Sequence, residues 1–189
     1  MDAELKERLF LASQESPGSW LLHALRLNAA AERLDCEKNP IRDGEPTTSF
    51  IAEHQMLLGL AFENVLKGFI SLIRLESGKT PPLPTECHIH KLERLAERTE
   101  CQELALTVDE LASLARLSPY IEWAGRYPTP KKFTELIAIA SGTHERAVTR
   151  DLWNRLVPLL QERAWIMKGG PESMGGHKLH LRQNAQAEA

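Results

Sequence analysis

One stretch of this chain, from about Thr48 to Gly78, limits its possible folds more than any other. Apolar residues recur there at alternating spacings of four and three, at Leu58, Phe62, Val65, Phe69 and Leu72. A second apolar stripe lies beside the first and consists of Leu66, Ile70 and Ile73. Only a narrow polar seam is left, formed by Gly59, Glu63, Lys67, Ser71 and Arg74. Because most sides of this helix are apolar, we expect it to lie inside a helical bundle.

The other periodic segments of the chain also predict helices. They cover residues 3–14, 17–36, 88–98, 107–118, 129–140 and 143–168. Ser16-Pro17 and the capping box that begins at Thr107 are start signals, whereas Pro119 should interrupt one helix and Pro158 should kink another. The run 136–140 fits a short buried strand as well as a helix, but no strand pair or hairpin turn is recognisable. We therefore predict an all-α fold, an up-and-down helical bundle around one long buried central helix.

Length and composition set the domain organisation and the compartment. The chain has 189 residues, and we predict a single helical-bundle domain over residues 1–168 and a flexible polar tail over 169–189. Three scattered cysteines favour a reduced, cytoplasmic setting over a disulfide framework. Glu63, Lys67 and Arg74 interrupt the apolar stretch, so we expect no membrane span. The net charge of −3 argues against non-specific adhesion to nucleic acid or anionic membranes.

Three separated segments together resemble one protein family. The segment 61–68 contains Glu63 and Lys67 and looks like the Glu-x-x-x-Lys element of HEPN-type helical bundles. The segment 90–95 is similar to the His-x-Leu-x-x-Leu start of the following helix in that family. Arg126-Tyr127-Pro128 resembles the turn before the last long helix. The resemblance implies a small domain linked to RNA cleavage, nucleotide binding, toxin–antitoxin systems or phage defence, and it implies a homodimer.

The catalytic signature of active HEPN ribonucleases is missing from this chain. Those enzymes carry an arginine followed four to six residues later by a histidine on the last helix. Here no such pair occurs, and His144 precedes Arg146 and Arg150 instead of following them. We therefore predict a non-catalytic binding module that engages a protein partner, RNA or a nucleotide. Two alternatives stay open: a metal-independent RNA-cleaving enzyme that uses those three residues, and a structural interaction protein without a ligand.

Each binding candidate also has a purely structural interpretation. The full set of candidates is Glu63, Lys67, His90, Arg126, Tyr127, His144, Arg146 and Arg150. Glu63 and Lys67 stand four residues apart, which is the spacing of a helical salt bridge. His90 suits a helix start bonded to backbone, and Arg126 with Tyr127 suits a turn pinned to the bundle. The two later arginines suit a solvated helix face.

No metal or cofactor is predicted. The residues Cys87, His88, His90 and Cys101 do not have the spacing of a common zinc site. His177 and His180 in the tail form no recognisable ligand set either. The sequence also contains no glycine-rich phosphate loop and no hydrolase or zinc-protease motif.

Overall fold

A computed structural model of the chain describes residues 16–35, 50–79, 83–127, 129–130, 132, 134, 142–167 and 176–178. The α-helices in these ranges are α1 (Pro17–Arg33), α2 (Ile51–Glu76), α3 (Leu92–Ala96), α4 (Val108–Pro119) and α5 (Thr143–Arg163). Short 3-10 segments occupy Thr85–Cys87 and Thr99–Leu104, and a π-helical turn occupies Tyr120–Ala124. Two short strands follow, β1 (Trp165–Met167) and β2 (Gly176–Lys178). The predicted helix over 3–14 lies outside these ranges, as do residues 131, 133 and 135–140 of the helix predicted over 129–140.

Helix α2 is the centre of the bundle, as the sequence predicts. Residues 61–72 of α2, about three helical turns, are buried on every side, and Phe62, Val65 and Leu66 are completely inaccessible. Helix α1 lies along α2, and α3, α4, α5 and the π-helical turn also contact it. Because other helices cover the apolar stripes of α2, the prediction of an all-α bundle around a buried central helix is confirmed.

Helix α2 is also the one segment of the described chain whose length and composition would allow a membrane crossing. The sequence led us to expect that its charged residues exclude this. In the structure, 72% of the qualifying stretch is buried within the protein. Burial of this kind is what the core helix of a bundle shows.

The α-helical part of this segment ends at Pro119, where the sequence predicts an interruption, but the chain stays helical beyond it. Helix α4 includes Pro119 and continues directly into the π-helical turn. Proline lacks the backbone N–H that would bond to the preceding turn, and the chain responds by widening: the Gly125 N–H bonds to the Tyr120 carbonyl five residues back, at 3.1 Å. Ile121 in this turn packs against Gly59 of α2, where a Cβ atom would lie only 2.8 Å from the Ile121 side chain. Gly59 thus interrupts the apolar surface of α2 because the Ile121 side chain leaves no room for a Cβ atom there.

The last helix is shorter than predicted. It ends at Arg163 instead of reaching Lys168, because Ala164 is extended, with φ −70° and ψ 146°. Trp165 to Met167 then pair antiparallel with Gly176 to Lys178, with Ile166 opposite His177. Aromatic and β-branched residues such as Trp165 and Ile166 favour strand geometry, which explains the switch. Three residues of the predicted flexible tail, 176–178, thus form a strand. In the part of the chain that the structure describes, this two-stranded sheet is the one departure from helical structure that the sequence did not predict.

Helix starts follow the sequence signals in part. The capping box at the start of α4 is complete: Thr107 accepts from the Glu110 N–H, and the Glu110 carboxylate accepts from the Thr107 N–H. The same carboxylate also receives Arg155 of α5 at 2.8 Å. Burial opposes ionisation there, but the hydrogen bonds from Arg155 hold the pKa of Glu110 below its ordinary value. At α1, Pro17 takes the first helical position but Ser16 makes no side-chain cap.

Candidate functional site

Three of the predicted candidates, Glu63, Lys67 and His90, form one polar cluster at the edge of the core. The Lys67 ammonium donates to Glu63 Oε1 at 2.6 Å, and both side chains are less than a tenth exposed. His90 Nδ1 lies 2.8 Å from the other carboxylate oxygen, Glu63 Oε2. The Lys67 ammonium also lies 5.9 Å from the centre of the Trp20 ring on α1. The cluster therefore ties the segment before α3 to the central helix.

The contact of His90 differs from the one we predicted. We expected His90 to bond to backbone at a helix start, yet its ring contacts a carboxylate of another helix. Half of the His90 side chain is exposed, while Glu63 is enclosed. Because both oxygens of Glu63 already have partners within the protein, the cluster offers no obvious place for a ligand. Its geometry is that of a structural tether.

Changing His90 to alanine should expose Cys87. Cys87 is completely buried in the 3-10 turn three residues before His90, and burial raises the pKa of its thiol. The variant loses the hydrogen bond between His90 and Glu63, worth about 1 kcal/mol. The fraction of molecules in which the 3-10 turn is locally open should therefore rise about fivefold. The rate at which Cys87 reacts with a thiol reagent, measured in a Cys36→Ser background, reports this opening.

The neighbouring His88 provides the control for this experiment. Its side chain is exposed, so His88→Ala should leave the reaction rate unchanged. Equal rates in both variants would show that the bond from His90 to Glu63 does not hold the turn.

A separate pocket of about 440 Å³ opens where α1, α2, α4 and α5 meet. Its volume is in the range of small-molecule binding sites. The residues that line it are mostly polar or charged: Asn28, Glu32, Asp35, His54, Gln55, Leu58, Arg116, Arg146, Thr149, Arg150, Trp153 and Asn154. Three arginines face two carboxylates, so the lining carries a net positive charge when His54 is neutral.

Arg116 of α4 is a partly buried arginine in the lining of this pocket. Its Nη1 donates to Gln55 Oε1 at 2.9 Å, whereas its buried Nε has no hydrogen-bond partner. No carboxylate of the described chain lies within ion-pair distance of it. Burial lowers the pKa of Arg116 below the usual arginine value, although the group stays charged. This guanidinium is thus partly desolvated. The Glu145 carboxylate offsets part of its charge, but it lies beyond ion-pair distance.

Arg146 and Arg150 reach the same pocket from α5. They stand one helical turn apart, so both side chains lie on one face of the helix. Arg146 is 3.9 Å from the Asp35 carboxylate, and Arg150 is 3.9 Å from that of Asp151. Both distances are at the outer limit of an ion pair. Arg150, which is exposed, therefore keeps much of its capacity to bind an added anion.

The remaining wall of the pocket is partly apolar and firmly supported. Trp153 and Leu58 line it, and the Trp153 ring meets the buried Phe62 ring edge-to-face at a centroid distance of 5.5 Å. At another point of the lining, Thr149 bonds to Ser113 of α4 at 2.7 Å, which holds α4 and α5 together. The pocket thus combines cationic donors with an aromatic surface in a preformed frame.

The other predicted candidates lie elsewhere. His144 is exposed and does not line the pocket, so the three-residue set considered for RNA cleavage is not assembled there. Arg126 donates to the Glu122 carbonyl at 2.6 Å and lies 5.7 Å from the Tyr127 ring, which is 56% exposed. These two residues organise their own turn. Pro128 of the same turn lies outside the described residues.

The buried cysteines lie apart from the pocket. Burial, with a smaller contribution from Glu100, raises the pKa of Cys101 to about 12, so its thiol stays protonated. Within the described ranges, no group of three or more His, Cys, Asp and Glu residues is arranged to hold a metal ion.

Sequence reasoning missed the residues on the α2 and α4 sides of the pocket. His54 and Gln55 precede the apolar stripes of α2, and Arg116 is one charged residue in an amphipathic helix. None of them belongs to a motif. One signal was available in the sequence: Arg116 lies between Leu114 and Leu117, two positions that are buried in the structure, and a charged residue beside a buried face can mark a binding site.

A comparison with protein-family models found no match, and comparisons with curated proteins and with solved structures found no similar chain. The resemblance to HEPN-type bundles therefore stays a prediction. Function has to be argued from the pocket itself.

Proposed function

We propose that this chain is a non-catalytic helical binding module whose ligand is a phosphate-bearing molecule of nucleotide size. The observation that carries the proposal is Arg116, a partly buried guanidinium without a carboxylate partner at the wall of a preformed pocket. Arg146 and Arg150 add two further cationic groups to the same wall.

The argument from Arg116 is energetic. A charge removed from water costs free energy unless an opposite charge compensates it. Gln55 supplies a hydrogen bond but no charge. An anion bound in the pocket would supply the missing charge, and its association would therefore be favoured. Guanidinium groups suit phosphate in particular, since their planar donors match its oxygens.

The rest of the lining suggests what the anion carries. Trp153 and Leu58 offer an apolar surface on which a flat ring can stack, and Asn28 and Asn154 offer hydrogen-bonding amides. A volume of about 440 Å³ suits a mononucleotide better than a protein surface or a long RNA. Nucleotide binding is also among the activities that the HEPN resemblance implies. The homodimer and the toxin–antitoxin or phage-defence setting rest on that resemblance alone.

Changing Arg116 to glutamine should weaken ligand binding strongly. Calorimetric titration of the unaltered chain with each of the four ribonucleoside 5′-monophosphates should give saturable binding to at least one. In Arg116→Gln we expect the affinity to fall about tenfold to a hundredfold or more, because a desolvated charge pair is lost. Arg94→Gln is the matched control, since Arg94 is 69% exposed and distant from the pocket lining.

Two results would contradict the proposal. One is an unaltered chain that binds no monophosphate at millimolar concentration. The other is equal affinity in Arg116→Gln and in the unaltered chain. Binding of a single-stranded oligoribonucleotide without binding of any monophosphate would assign the surface to RNA instead.

A further inference from the structure

Among the hydrogen bonds that the structure describes, the one from the Arg116 side chain goes to a neutral residue, Gln55. It is 2% exposed and lies on α2, opposite α4. Its Oε1 accepts from Arg116 Nη1 at 2.9 Å, and its Nε2 lies 3.2 Å from Nδ1 of the neighbouring His54. One buried amide thus joins two residues that line the pocket.

Hydrogen-bond chemistry fixes the orientation of this amide. A guanidinium can only donate, so the amide atom that faces Arg116 must be the oxygen. The amide nitrogen then faces His54, and because that nitrogen can only donate, His54 Nδ1 must be the acceptor. His54 is therefore neutral in this arrangement, with its proton on Nε2. The charge of Arg116 sets the state of both neighbours through Gln55.

We propose that Gln55 is the positioning residue of the pocket, which holds Arg116 in place while leaving its positive charge for the ligand. The proposal rests on the phosphate-binding function argued above. Its consequence is selectivity: the pocket should prefer a phosphorylated ligand over the same ligand without its phosphate. A carboxylate at position 55 would occupy the same space and hold Arg116 equally well, but it would neutralise the charge that the phosphate needs.

Glutamate at position 55 is consequently the informative substitution. We expect Gln55→Glu to lower the ratio of nucleoside monophosphate affinity to nucleoside affinity about tenfold or more. Thermal stability should stay the same or rise, because Arg116 gains an ion-pair partner. A merely structural role of Gln55 would instead weaken both ligands alike and lower the melting temperature.

The control is Gln102→Glu, which makes the same change in net charge at an exposed position. It should leave the affinity ratio unchanged. A change seen only in Gln55→Glu is then not caused by the more negative net charge of the protein repelling the phosphate. The ligands are the four monophosphates and their nucleosides, measured by calorimetry on the full chain.

The outcomes separate the two proposals. If the unaltered chain shows no preference for monophosphate over nucleoside, the phosphate-binding function is wrong, and the role of Gln55 falls with it. If the unaltered chain and Gln55→Glu show the same preference, while Arg116→Gln loses it, only the role of Gln55 is wrong. Loss of the preference in Gln55→Glu with retained melting temperature supports both.

Discussion

Replacing Lys67 with methionine should lower the free energy of unfolding by about 3–5 kcal/mol. The substitution keeps the apolar stem of the side chain and removes its ammonium, so the Glu63 carboxylate stays in the core and keeps only His90 of the two partners described above. A buried charge that has lost its counter-charge is among the most destabilising single changes in a protein core. Urea unfolding followed by circular dichroism measures the effect.

The double variant Glu63→Gln/Lys67→Met distinguishes this cause from loss of packing. Removal of both charges should recover most of the lost stability, because the new amide at position 63 can still bond to His90 and no buried charge is left without a counter-charge. Lys91→Met at an exposed site should change stability by about 0.5 kcal/mol or less. A double variant as unstable as Lys67→Met would contradict the account.

Replacing Phe62 with alanine should also cost about 3–5 kcal/mol. The Phe62 side chain is completely buried at the middle of α2, and its removal leaves a cavity that the surrounding helices can fill only in part. It also removes the ring that supports Trp153 at the pocket wall. We therefore expect weaker nucleotide binding together with the loss of stability, measured by urea unfolding and calorimetry.

Phe62→Leu and Phe50→Ala are the comparisons for this prediction. Leucine fills more of the space and should cost less than alanine does. Phe50 is 46% exposed, so its truncation should have a small effect. If truncation at the two phenylalanines were equally costly, α2 would not be the centre of the core.

The central helix was predictable because its signal is local. Apolar residues at spacings of three and four, such as Phe62, Val65 and Phe69, specify both a helix and the faces it buries. The link between Glu63 and Lys67 was predictable for the same reason, since it spans one helical turn. His90 joins them from 27 residues away, and no local pattern specifies a contact of that kind.

The pocket was only partly predictable for a related reason. Arg146 and Arg150 share a helix face, and the sequence identifies them as a pair. His144 precedes Arg146 by two positions, which is about 200° around a helix, so it points away from that face. Arg116 and Gln55 meet the pair only through the packing of three helices, which depends on contacts distant in sequence.

The most direct test of the central claim uses the indole N–H signal of Trp153 in a ¹⁵N-edited NMR titration. Trp153 lines the pocket, whereas Trp123 packs with Tyr120 in a separate cluster. Addition of a ribonucleoside monophosphate should shift the Trp153 signal saturably and leave the Trp123 signal in place, and Arg116→Gln should remove the shift. A Trp153 signal that stays fixed while the ligand binds, or that shifts equally in Arg116→Gln, would contradict the claim that this pocket recognises phosphate through Arg116.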